Sequence, residues 1–93
     1  METVDCGESL DISVARSFYE QLVKSSIGAE AIALNGENLQ RVDGAGLQLL
    51  VSFFREAQRQ NFSVHWQGAS PALRHAAQLF GVADCLQFNT AKT

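Results

Sequence analysis

The sequence predicts an α/β domain with largely parallel strands and helices gathered mainly on one face. Short apolar runs alternate with segments of helical period, in the order strand, helix, strand, helix, strand, helix and a brief closing element. Such alternation gives parallel strands joined by right-handed crossovers. The stretch from Leu39 to Val51 passes from strand to helix through Asp43-Gly44-Ala45-Gly46. Finally, 93 residues, 46% hydrophobic and 18% charged, describe one ordinary globular unit with room for a single core and no second lobe. That unit is residues 1–93, with the ordered core expected over about 3–88.

Taken in order, Thr3 to Cys6 alternate loosely before Gly7 and suit a short first strand at a sheet edge. Asp11 is placed to cap a helix whose inner face is Ala15, Phe18, Tyr19 and Leu22, ending at Lys24-Ser25-Ser26 with Gly28 just beyond. Ala31-Ile32-Ala33-Leu34 reads as a strand buried on both faces. Asn35-Gly36 is also a hairpin signal, but Glu37 to Gln40 does not alternate, so a loop over the sheet edge is expected there.

The helix from Gly44 to Gln60 has the clearest period in the chain. Leu47, Leu50, Val51 and Phe54 form one stripe, Ala57 continues it, and Asn61 can close the end. Leu49 and Phe53 lie well round the cylinder from that stripe. Either the helix is covered on two sides, or these residues face solvent or another protein. Ser63 to Gln67 alternates like a half-buried strand, and Ser70-Pro71 opens a helix with Leu73, Ala76, Ala77 and Phe80 inward and Gly81 as its stop. Residues Val82 to Phe88 fit a short helix, a strand, or one after the other. The tail Asn89 to Thr93 is polar and expected to fray.

Charge and motif content exclude several functions. Net charge is −3 and the seven Lys and Arg are scattered, so no basic stripe is present to meet a nucleic-acid backbone. The acidic N-terminus is unlike a secretory leader, and no apolar run approaches bilayer length. A cytoplasmic protein without direct membrane insertion is therefore expected. Cys6 and Cys85 lack partners at metal-ligand spacing and read as reduced, packed side chains, with no cofactor or metal expected. There is no Gly-x-Ser-x-Gly elbow, phosphate-cradling Gly-Lys-Ser/Thr or Cys-x-x-Cys, and Gly44-x-Gly46 lacks the third glycine of a dinucleotide fingerprint. His65 and His75 stand alone on different elements, and no carboxylate pair is evident, so no catalytic residue is expected.

The turn after Val42 is the candidate site. Asp43 can accept hydrogen bonds from the first helical N–H groups and complements the helix dipole, while Gly44 and Gly46 permit a sharp bend. An anion, a phosphate or a partner could dock there. The same residues also describe a well-capped helix start and nothing more.

Arg41-Val42-Asp43-Gly44-Ala45-Gly46-Leu47-Gln48-Leu49-Leu50, then Val64-His65-Trp66, then Ser70-Pro71-Ala72-Leu73 through Leu79-Phe80-Gly81-Val82, together resemble the STAS domain family. The resemblance spans Cys6 to Phe88. That family is shared by the cytoplasmic tails of sulphate transporters and by bacterial anti-sigma factor antagonists. It implies a small mixed, mostly parallel sheet of four or five strands with helices on one side, no catalysis, and work done by binding a protein. The implied partner is an anti-sigma factor or kinase-like regulator or, as in the STAS subunit of phospholipid-transporting ABC systems, the transporter ATPase. In similar antagonists a serine in this turn is phosphorylated, and its counterpart here is Ala45. In the transporter subunit a threonine follows the aspartate, and its counterpart is Gly44. Neither residue has a hydroxyl, so the resemblance implies binding without a phosphorylation switch in this turn. The expected contact residues are Asp43, Gly44, Ala45, Gly46, Leu49 and Phe53.

Overall fold

The computed structural model describes residues 2–88. Its elements are β1 (Glu2–Asp5), β2 (Ser9–Leu10), α1 (Ile12–Ser26), β3 (Ala31–Gly36), β4 (Arg41–Val42), α2 (Gly44–Gln60), β5 (Ser63–Ala69) and α3 (Pro71–Leu79). All strand pairings are parallel, as helical crossovers dictate. The strands fall into a three-stranded sheet ordered β1-β3-β5 and a separate pair, β2 with β4. The expected small sheet of four or five strands is thus five strands divided three and two.

Burial follows from strand position. β3 is central, and Ile32, Ala33 and Leu34 are all buried, which is why its sequence is a continuous apolar run. The flanking strands are one-sided. The row Val4–Leu34–Trp66 and the pair Ile32–Val64 face the helices, whereas Thr3 and His65, in register with Ala33, lie exposed on the opposite face. On the covered side, Leu22 of α1, Leu50 of α2 and Leu73 of α3 are wholly inaccessible, each contributing about 2 kcal/mol of burial. Trp66 stacks on Phe54 at 5.9 Å between ring centroids, and its indole N–H donates to the Leu86 carbonyl at 2.9 Å. That bond ties residues 82–88 to β5. They form hydrogen-bonded turns rather than the helix or strand expected there.

Helix boundaries follow their caps. Asp11 accepts the Ser13 N–H, Asp43 accepts the Gly46 N–H, and Ser70 Oγ accepts the Leu73 N–H ahead of Pro71. Asn61 closes α2 in the left-handed conformation at φ 64°, its N–H returning to the carbonyls of Ala57 and Gln58.

Four expectations are corrected. Asn35 and Gly36 continue β3, pairing with Gly68 and Ala69 after a register shift that leaves Gln67 extra on β5. β2 was not foreseen as a strand; it exists because the short β4 runs beside it. Phe80 does not face inward: α3 ends at Leu79, and Phe80 is its cap residue, more than half exposed. Cys85 is exposed, whereas Cys6 is buried and its thiol is pushed up to about 12 by burial and by the adjacent Asp5 charge. The tail beyond Phe88 lies outside the described residues.

Candidate functional site

The Asp43 turn is built by the two-stranded pair. Leu10 and Val42 are in register on β2 and β4, so the next residues, Asp11 and Asp43, emerge side by side. Each caps the helix that follows. Two helix N-termini therefore meet at the carboxyl ends of two parallel strands, the place where α/β folds commonly present binding surfaces.

Asp43 joins the two helices. Its Oδ1 accepts the Gly46 N–H at 2.9 Å and its Oδ2 accepts the Ile12 N–H at 3.4 Å, so one carboxylate serves the first turns of both α2 and α1. Its own N–H donates to the Leu10 carbonyl at 3.2 Å, and its carbonyl accepts the Leu47 N–H at 3.0 Å. The Ser13 side chain, followed by the Ser13 N–H, holds the Asp11 carboxyl below its ordinary value, with Arg41 adding a nearby positive charge. Two carboxylates thus occupy the positive ends of both helices. This corrects the expectation of an anion or phosphate site, because a ligand of the same sign would meet charges already satisfying those N–H groups.

The two glycines of the turn differ. A Cβ built on Gly46 would stand 2.2 Å from the Leu10 carbonyl oxygen, so this glycine exists to let α2 begin against β2. Gly46 is buried and not open to a partner. A Cβ on Gly44 would meet only the Phe80 ring at 3.4 Å, an ordinary contact.

Leu49 and Phe53 are likewise corrected as contact residues. They are 8% and 1% exposed, because α1 and the start of β5 cover the second side of α2. Tyr19 meets Phe53 edge-on at 6.5 Å, and Phe62 lies 5.8 Å from the same ring. The two stripes of α2 therefore mean a helix covered on two sides. Ala45 remains at the surface, lining a hollow of about 470 Å³ with Arg16, Tyr19, Glu20, Gln48 and Ser52.

The apolar surface at the turn is supplied by residues the sequence analysis did not place there. Ile12, Leu79 and Phe80 are 78%, 72% and 55% exposed. Ile12 is tied to Asp43 through its N–H, and the Phe80 ring lies over Gly44. Leu79 and Phe80 also line a hollow of about 540 Å³ with Asp11, Arg41, Asp43 and His75. Leu79 lies off the Leu73–Ala76–Ala77 stripe, the one sequence signal that it faces outward. His65 lies on the open sheet face, away from His75 on α3. Among the described residues no cluster of three or more His, Cys, Asp and Glu could hold a metal, and no helix is long and apolar enough to cross a membrane.

Parallel strands, a doubly capping aspartate and a helix ending at Leu79 define a small α/β domain. The profile of the family described as "Mlab, STAS domain" matches residues 2–87, and the chain belongs to the STAS domain family. Among solved structures it is similar to a sulfate transporter family protein from Wolinella succinogenes, with TM-score 0.78 and 19% identity over 91% of this chain and 70% of that one. It is also similar to the anti-sigma factor antagonist SpoIIAA in its unphosphorylated form, with TM-score 0.71 and 22% identity over 89% and 76% of the two chains. No curated protein matches the sequence. STAS domains are generally non-catalytic.

Proposed function

We propose that this domain is a non-catalytic docking module of bacterial signalling, similar to an anti-sigma factor antagonist, that engages a cytoplasmic anti-sigma factor or kinase-like regulator. The observation that carries this reading is the exposed apolar group Ile12, Leu79 and Phe80 gathered around Asp43 and Gly44. Large apolar side chains grouped on one small surface mark a contact site more often than a solvated one. The contact face comprises Asp43, Gly44 and Ala45 with this rim. Leu49, Phe53 and Gly46 act beneath it as support.

The turn carries no hydroxyl at Gly44 or Ala45, so binding there is constitutive. A phosphate would add about −1.5 to −2 charge, and this turn has no group to accept one. Purification of the tagged protein from its own cells, followed by mass spectrometry, tests both parts. The expected result is a soluble regulator retained with the domain and no phosphate between Leu39 and Leu50. Co-isolation of an ATPase with a membrane permease would replace this reading with that of a phospholipid transporter subunit. Phosphate at Ser52 would require a different switch.

A further inference from the structure

We propose that residues 82–88 are a latch whose closure on Trp66 fixes the end of α3, and with it the position of Leu79 and Phe80. Such a latch regulates the docking rim proposed above and rests on that reading. Leaving α3, the chain turns at Gly81, φ +74°, where the Gly81 N–H donates to the Gln78 carbonyl at 3.1 Å and the Val82 N–H to the Ala77 carbonyl at 2.9 Å. This pair of bonds is how a helix closes on a left-handed glycine. The first residue of the latch is therefore also the closing tie of α3, two positions beyond Phe80.

The segment is built as a unit that can open by itself. It consists of turns, in which the Leu86 N–H returns to the Val82 carbonyl, Gln87 to Asp84 and Phe88 to Ala83. Gln87 holds the left-handed conformation at φ 68°, which a residue with a Cβ disfavours and which opening relieves. A hollow of about 150 Å³ lies between the segment and α2, with Phe54 and Gln58 on one side and Asp84 and Cys85 on the other. Closure comes from side chains. Leu86 is wholly buried and Ala83 nearly so, and the Leu86 carbonyl accepts the Trp66 indole N–H. The Phe88 ring lies 5.2 Å from Trp66, and the Arg74 guanidinium sits over it at the same distance. A segment with local backbone bonds and a few buried anchors opens at a lower free energy than the whole domain. When it opens, Val82 is drawn from Ala77 and the last turn of α3 loses its tie. Coupling of this kind is reciprocal, so a partner seated on Leu79 and Phe80 holds the latch shut.

Amide hydrogen exchange of the whole chain, alone in solution, tests the latch without any partner, so its failure is distinct from a failure of docking, which is read by capture. Ile32→Val weakens the central strand and should speed exchange at Leu34 about fivefold while leaving Gly81, Val82, Leu86 and Phe88 unchanged. Trp66→Phe removes the bond to Leu86 and should speed those four amides together, by at least about fivefold. Arg74→Ala, a change at an exposed position, should do the same by about threefold. If Leu86 and Phe88 accelerate along with Leu34 in Ile32→Val, the segment opens only when the whole domain unfolds, and the proposal is overturned. It is overturned equally if Gly81 and Val82 do not follow Leu86 in Trp66→Phe and Arg74→Ala, because the latch then stops short of α3.

Discussion

The two flanks of the Asp43 turn carry similar apolar side chains and treat them in opposite ways. On one flank, Leu49 and Phe53 of α2 are closed under α1, with Tyr19 and Phe62 against the Phe53 ring. On the other, Leu79, which ends the nine-residue α3, and its cap residue Phe80 stay more than half exposed among the described residues. The difference is one of reach. α1 runs long enough to cover the second stripe of α2, whereas the chain turns away at Gly81, φ +74°, as soon as α3 finishes. Beside this turn, the second apolar stripe of α2 is therefore core beneath α1, whereas the end of α3 is exposed surface.

The sharpest way to break this comparison is to place a charge on the closed flank. Phe53→Asp buries an unpaired carboxylate and leaves a void, at a cost of at least about 4 kcal/mol, and should abolish the cooperative thermal melt. A folded Phe53→Asp protein would mean that the α1 cover is loose. Next in size is the glycine contrast. Gly46→Ala drives a methyl into the Leu10 carbonyl and should cost about 2–3 kcal/mol in chemical denaturation, whereas Gly44→Ala should be neutral or slightly stabilising. Equal effects at the two positions would show that the close approach of α2 to β2 is not what fixes Gly46.

Removing the shared cap should have a smaller effect. Asp43→Ala takes one acceptor from each of two helices and should destabilise by about 1–2 kcal/mol, with amide exchange rising at both Ile12 and Gly46. Exchange changing at Gly46 alone would remove α1 from the role assigned to Asp43. The smallest effect is acid sensitivity at Asp11. Its carboxyl is held below the ordinary 3.8, so the stabilisation it gives is complete above that value and is lost as pH falls through the lowered one. Asp11→Asn, which keeps an acceptor without the titration, should flatten that part of the acid limb in pH-dependent melts.

Most of this architecture is legible in the residues. α2 runs over its expected range because its period is sustained, Asp43 supplies a cap at one end, and Asn61 tolerates the left-handed conformation at the other. The alternation of β5 against the continuous run of β3 correctly separates a one-faced strand from a central one. The pairing of β2 with β4 was not legible, since two residues are too few to show a period and the pair is held by its neighbour. The turn was legible as a capped helix start, and the exposure of the apolar residues around it was not. Asp43 marks it, but whether Leu49 or Leu79 is exposed depends on which helix lies over which, a tertiary fact that helical spacing does not carry. Phe80 was misplaced for a related reason: its spacing continues the inner stripe, but α3 stops one residue earlier.

The central claim is that the open flank is the docking face and the closed flank its foundation. The direct measurement compares capture of the protein's partner by the tagged wild-type domain and by the double variant L79S/F80S, with thermal melts run on both. The account predicts an unchanged melting temperature, since both side chains are already exposed, together with loss of the captured partner. Undiminished capture by a folded double variant would contradict it.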